Sequence, residues 1–209
     1  MKTLNLEGFR VPIAKILAKT FLVSSLTIIP QVWAEDTQPS VTSVIMQQFK
    51  LSASQVDSLM LAQNHATESN QPEAIMALML QESGANINAP SAGNCHGLMQ
   101  IMTSTAQGVL RSDKEFQAKY FGNAAPAARS VTYRLKTDAV FSIEVADKIL
   151  AQSLRQGNSL DHAILAYNVG STRASRLKSA NKYPYVRSVL NNLHNIVKPI
   201  RMLLESTNL

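Results

Sequence analysis

The sequence predicts a predominantly α-helical fold in one catalytic domain, α+β only to the extent of a small β-hairpin. Three observations carry this. The chain has 209 residues, 45% hydrophobic and 16% charged, enough apolar material for one proper core and too little charge for disorder. Apolar residues recur at helical spacing between capping and stopping signals along most of its length. Alternating strand patterns are scarce, and one stretch rich in Ser, Gly, Asn and Pro, residues 83–97, is the natural place for a hairpin.

Residues 1–34 read as a secretory signal rather than as part of the domain. Lys2, Arg10, Lys15 and Lys19 give a basic start, "FLVSSLTII" is a short apolar run, and Val32-Trp33-Ala34 is a small-residue cleavage site. The run falls well below the roughly 20 residues that span a bilayer. Cleavage removes four of the 20 Lys/Arg and one of the 14 Asp/Glu, leaving 16 against 13, so the mature net charge is +3. Part of the pI of 9.6 therefore belongs to the targeting segment. A mild positive balance suits an anionic matrix, and no basic run interleaved with aromatics suggests nucleic acid. Cys95 is the only cysteine, so an exported chain folds without an internal disulfide.

Residues 35–50 are polar and read as a flexible lead-in, with the domain over 51–209. Ser52 and Gln55 form a capping box for a helix running to about Ala66. Pro72 and Glu73 suit the first turn of the next helix, which Gly84 ends. Residues 83–97 are irregular, and "LMQIMTSTAQGVL" (98–110) reads as a helix. Residues 111–137 are the least legible, with "VTYRL" a short strand. Asp138 opens an amphipathic helix stopped by Gly157, Ser159 caps another stopped by Gly170, and Pro184 opens a long C-terminal helix that Pro199 kinks or ends.

One residue departs from the apolar pattern. Ile75, Leu78 and Met79 mark a stripe on the second helix, and the stripe runs into Glu82 at its inner, C-terminal end. A carboxyl on an apolar face loses solvation, and its neutral form is favoured. A carboxylic acid that keeps its proton near neutral pH is what a general acid requires. On its own, a glutamate at a helix end is more often a solvated surface residue.

Four blocks change that balance: Glu82-Ser83-Gly84, then "GLMQIM" (97–102), "ILAYNVG" (164–170) and "YPYV" (183–186). Their order and spacing resemble the catalytic domain of the soluble lytic transglycosylases, relatives of goose-type lysozyme, over about residues 65–190. The resemblance implies a lysozyme-like fold and a peptidoglycan substrate. It makes Glu82 the single catalytic acid and base. It puts Ser91 in the loop near that acid, Gln100 and Met102 in the groove, Tyr167 and Asn168 across the cleft, and Tyr185 in the last block, all as substrate-binding positions. The implied reaction cleaves the MurNAc-(β1,4)-GlcNAc bond and leaves 1,6-anhydroMurNAc ends, with no metal and no cofactor. The chain departs from the pattern at Thr103, where Pro is usual, and at Ala139, Ser142, Ala146, Ser171 and Thr172.

Other readings stay open at this stage. The product could be hydrolytic, as for a lysozyme-type muramidase. Cys95 beside His96 suggests a cell-wall cysteine peptidase or amidase, although neighbours in an extended loop point opposite ways. His65, His96, His162 and His194 show no metal-ligand spacing. A non-catalytic wall-binding accessory would tolerate loss of Glu82. The expected partners are peptidoglycan glycan strands and, by analogy of architecture, a secretion or conjugation machine. The protein is expected as a monomer in the periplasm.

Overall fold

The structure, a computed structural model, describes residues 40–90 and 93–206. The expected signal over 1–34 lies outside the described residues. Helix α1 (Val41–Phe49) starts at Ser40, whose hydroxyl accepts from the Ser43 N–H at 3.1 Å. Residues 41–49 of the expected lead-in are thus helical, and their fully buried Ile45 joins the core. Helix α2 (Ala53–His65) has the expected capping box: Ser52 N–H donates to Gln55 Oε1 at 2.7 Å, and Gln55 N–H to Ser52 Oγ at 3.3 Å.

Helix α3 (Pro72–Ser83) lies at the centre. Pro72 opens it and Gly84, at φ 63°, ends it. The apolar stripe expected from the sequence is wider than a stripe. All six residues from Ala74 to Met79 are at most 1% exposed, because α2, the helices over 139–155 and 184–192 and the segment 193–197 pack around them. A helix apolar on all sides belongs inside a core. Its two ends are tied down. Gln55 Nε2 donates to Gly84 O at 2.7 Å, and the buried carboxylate of Asp147 accepts from the N–H groups of Glu68 and Ser69, at 2.6 and 3.2 Å, in the loop before α3.

A two-stranded antiparallel hairpin follows, β1 (Cys95–His96) with β2 (Ile101–Met102), in the register Cys95 to Met102 and His96 to Ile101. The expected helix over 98–110 therefore starts only at Thr103, as α4 (Thr103–Ser112). Residues 97–100 are the hairpin's turn, with Gly97 at φ 69° and Gln100 at φ 45°. Gly97 has a second reason to be glycine. A Cβ there would sit 1.6 Å from the Leu135 carbonyl oxygen.

Residues 111–137 contain two helices joined by a loop over 122–127. Asp113 caps α5 (Lys114–Phe121), its Oδ1 accepting from the Phe116 N–H at 2.9 Å. The expected strand "VTYRL" lies inside α6 (Ala128–Thr137). Its apolar alternation fits either period. The helix prevails because Val131 and Leu135, four apart, are the pair buried, while Tyr133 stays 67% exposed. Phe116, Tyr120, Phe121 and Phe141 form an aromatic cluster, with centroids 4.8–6.0 Å apart, that seats α5 against α7 (Ala139–Arg155). The Arg134 guanidinium covers Tyr120 and Phe121 and pairs with Asp138 at 2.9 Å.

The C-terminal third runs as expected up to its end. Ser159 caps α8 (Leu160–Val169) and Gly170, at φ 82°, stops it. A short α9 (Ser171–Ala174) and a 3₁₀ turn (Ala180–Lys182) lead to α10 (Pro184–Asn192). Pro199 does not end the rod. A π-helical stretch, Leu193–Val197, precedes it, with the Lys198 N–H bonded to Leu193 O, and α11 (Lys198–Ser206) continues. The wider turn spares the Pro199 ring the clash with a carbonyl four residues back.

Gly97→Ala is expected to destabilise the fold by about 2–4 kcal/mol, since the hairpin must lift off α6. Urea unfolding followed by circular dichroism measures it; a loss well under about 1 kcal/mol would show that the hairpin moves freely against α6.

Candidate active site

Glu82 lies in the last turn of α3, where the helix leaves the core. Its side chain borders a cleft of about 640 Å³. Burial raises its carboxyl pKa above the ordinary 4.5, and a hydrogen bond from Tyr185 opposes that shift. Tyr185 Oη is the donor, reaching Glu82 Oε1 from the first turn of α10. Burial, followed by the charge of Glu82, holds the Tyr185 hydroxyl far above the usual phenol range, so it stays a donor. Next to this pair, Ser188 Oγ donates to Gln81 Oε1, and α3 and α10 meet along that seam.

The hairpin forms one wall. Gln100 adopts a left-handed conformation that few non-glycine residues take. The turn makes that conformation useful: both the Gln100 N–H and its Nε2 donate to Gly97 O, at 3.1 and 2.9 Å, and the side chain is fixed at the cleft. Strand β2 then alternates, with Ile101 3% exposed in the core and Met102 43% exposed over the cleft. Thr103, where proline was the expected residue, uses its hydroxyl: Oγ1 lies 2.7 Å from Thr132 Oγ1 and ties the wall to α6.

Helix α8 forms another wall with Tyr167 and Asn168. Tyr167 Oη donates to Met99 O at 2.8 Å, so the hydroxyl bridges α8 to the turn that carries Gln100. Burial and the Glu82 charge push it well above the usual phenol range. The fold thus brings Glu82, Gln100, Met102, Tyr167 and Asn168 to one cleft. Tyr185 touches the carboxyl without lining the cleft. Ser91 lies outside the described residues.

Several lining residues escaped the sequence reading. Thr105, Gly108, Val109 and Ser112 fall at i, i+3, i+4 and i+7 on α4, and Ile149, Gln152 and Ser153 on α7, with Gln156 at its C-cap, repeat that spacing. Each set is one helix face. The helical period was present in the sequence, but nothing in it said that these faces meet.

Cys95 also lines the cleft. Burial and the nearby Glu82 charge raise its thiol pKa above the ordinary 9.0, which keeps it protonated and weakly nucleophilic. His96 faces away, toward α6, where burial and Lys136 hold its imidazole below the ordinary value. Among the described residues no histidine lines the cleft, so no imidazole there serves the Cys95 thiol as a base. Glu82 is the one carboxylate among the cleft-lining residues described.

Neither the curated proteins nor the solved structures give a match to this chain. The family described as the transglycosylase SLT domain matches residues 60–186, from the middle of α2 into α10. That span contains the carboxyl, the hairpin, both cleft walls and Tyr185, and it covers more than half of the chain. The chain belongs to the transglycosylase SLT domain family, whose members are lytic transglycosylases that act on peptidoglycan, outside the cytoplasm.

Proposed function

We propose that Glu82 is the single general acid and base of a peptidoglycan lytic transglycosylase that cleaves after N-acetylmuramic acid. The observation that carries this reading is the position of Glu82: partly buried, with a raised pKa, hydrogen-bonded by Tyr185, and the one carboxylate among the described residues at the cleft. Most glycosidases need two carboxylates, about 5–5.5 Å or 6.5–9.5 Å apart. One carboxyl is enough where the substrate supplies the other groups.

The steps follow from that. Glu82-COOH gives its proton to the glycosidic oxygen as the C1–O bond breaks, and the N-acetylglucosamine leaves with a free 4-hydroxyl. The 2-acetamido carbonyl of the muramic acid stabilises the cationic C1. Glu82, now a carboxylate that accepts from Tyr185, takes the proton of the muramyl 6-hydroxyl. That oxygen closes on C1 as the 1,6-anhydro ring, and Glu82 is again protonated. Tyr185 stabilises the carboxylate between the two transfers. Gln100, Met102 and Asn168 contact the sugars, Tyr167 braces the wall that holds Gln100, and Ser91 in the preceding loop is assigned to the substrate as well. We further propose that residues 1–34 are a cleaved signal that delivers the enzyme to the periplasm.

Digestion of purified peptidoglycan, read by mass spectrometry, should release muropeptides one water lighter than the reducing form. Glu82→Gln should lose this activity by about 10²–10⁴-fold. Reducing ends would instead mean hydrolysis, and product from Glu82→Gln at the wild-type rate would remove the acid from Glu82.

Glu82 also sets a pH dependence of stability. Its pKa is raised in the folded state, so the stability of the neutral carboxyl is complete below the unfolded value of 4.5 and is lost as pH rises through the folded value. Glu82→Gln, neutral throughout, escapes that loss. Its Tm advantage over the wild type should grow from pH 4 to pH 7 in a thermal melt; a constant difference would place the carboxyl in solvent.

Tyr185→Phe removes the hydrogen bond that lowers the Glu82 pKa. The alkaline limb of kcat/KM should therefore move to higher pH, and kcat should fall because the carboxylate loses its donor. An unmoved limb would separate Tyr185 from the protonation of Glu82.

A further inference from the structure

Charge is divided unevenly along the chain. Residues 40–161 contain nine Lys/Arg and ten Asp/Glu, whereas residues 162–204 contain seven Lys/Arg and no acid at all. In the first part the acids outnumber the cations by one, and four of the nine cations pair with an acid: Lys119 with Glu144, Arg134 with Asp138, Lys148 with Asp113, and Arg155 with Glu68. In the second part Arg173, Arg176, Lys178, Lys182, Arg187 and Lys198 are all exposed, and none forms an ion pair among the described residues. Arg201 alone is paired, with Glu73 and Glu205.

The first of these cations follow the cleft along the chain. Asn168, Val169, Gly170 and Ser171 line it, and Arg173 stands two residues further along in α9. Arg176 and Lys178 follow in the link to the 3₁₀ turn that contains Lys182, and that turn packs on both α8 and α10. So the block that contributes Tyr167, Asn168 and Tyr185 to the site carries the uncompensated charge on its outer side. Folding gains nothing from unpaired like charges held together; they repel one another. Their value is toward an external anion, and the anion nearest the cleft is the substrate polymer. Each muramic acid bears a lactyl group that continues into a peptide, and uncross-linked peptides end in free carboxylates.

We propose that the basic surface of α9, the 176–182 link and α10 is a docking site for the carboxylates of peptidoglycan stem peptides, holding the glycan strand along the cleft. The proposal rests on the peptidoglycan reading for its choice of anion. It requires neither the identity of the acid nor the form of the product. The surface works over the Debye length, about 8 Å at physiological salt, so it favours glycan that still carries its peptides and loses grip as salt rises.

The test is binding without turnover. The Glu82→Gln protein is sedimented with insoluble peptidoglycan that has intact stem peptides, over a range of NaCl concentrations. Arg173→Gln/Arg176→Gln/Lys178→Gln in the same background should bind about fivefold or more weakly, with a shallower salt dependence. Lys50→Gln/Arg129→Gln/Lys136→Gln removes the same charge from exposed sites that do not line the cleft and should bind like the parent. Peptidoglycan whose carboxylates have been converted to neutral amides should bind the parent weakly and abolish the difference. Thermal melts check the fold of each variant, and the single exposed change Lys178→Glu replaces the triple if it unfolds. Equal binding by parent and triple would overturn the proposal, as would the same difference on amidated wall. A difference seen only on phosphatidylglycerol vesicles would assign the surface to a membrane and overturn it too. Activity of the wild type is not measured here, so a failure of this surface leaves the assignment of Glu82 standing.

Discussion

The fold depends on a helix that has no solvent face for half its length. Ala74 to Met79 bury every side of α3, and the remaining helices pack around it. Such a helix can present a polar group only at an end, and Glu82 is at the end that opens on the cleft. The burial that stabilises the core is therefore the same burial that withholds water from the carboxyl and raises its pKa. Stability and chemistry are set by one placement. The clamps at the two ends of α3, Asp147 on the loop before it and Gln55 on Gly84 after it, hold that placement against rotation or sliding.

Around this axis the site is assembled from parts that restrain one another. Tyr185 restrains the carboxyl, Tyr167 restrains the hairpin turn, and the turn restrains Gln100 through one carbonyl, Gly97 O. The hairpin in turn rests on α6, where Gly97 leaves no room for a side chain and Thr103 meets Thr132. Helices α5 and α6 are thus more than an appendage. Their aromatic cluster and the Arg134 contacts provide the base on which one cleft wall stands.

Local signals in the sequence were legible where a single residue type decides the structure. Ser52, Pro72, Gly84, Asp138, Ser159 and Gly170 marked helix ends correctly, because capping and left-handed φ are properties of one or two residues. Glu82 was legible for the same reason: a carboxyl on an apolar face is an anomaly that needs no partner to be noticed. The misses share a different cause. "VTYRL" fits two periods, and only its packing on the hairpin selects the helix. Residues 98–102 read as the start of a helix because Leu98, Met99 and Ile101 are apolar, and the close approach of Leu135 O to Gly97 comes from 38 residues away. The cleft faces of α4 and α7, and the hydrogen bond of Tyr185 to Glu82, are likewise long-range facts. Cys95 was singled out as a rival nucleophile; the fold places its thiol beside Glu82 and turns His96 away from it.

The central claim is that Glu82 keeps its proton because the fold buries it. Carbon-13 NMR of the glutamate side-chain carboxyls measures this directly, with Glu82 assigned as the signal missing from the Glu82→Gln spectrum. The account predicts that the Glu82 carboxyl titrates with a midpoint above 4.5, and that the midpoint rises further in Tyr185→Phe. A midpoint at or below 4.5, insensitive to Tyr185, would mean a solvated carboxylate and would contradict the account at its base.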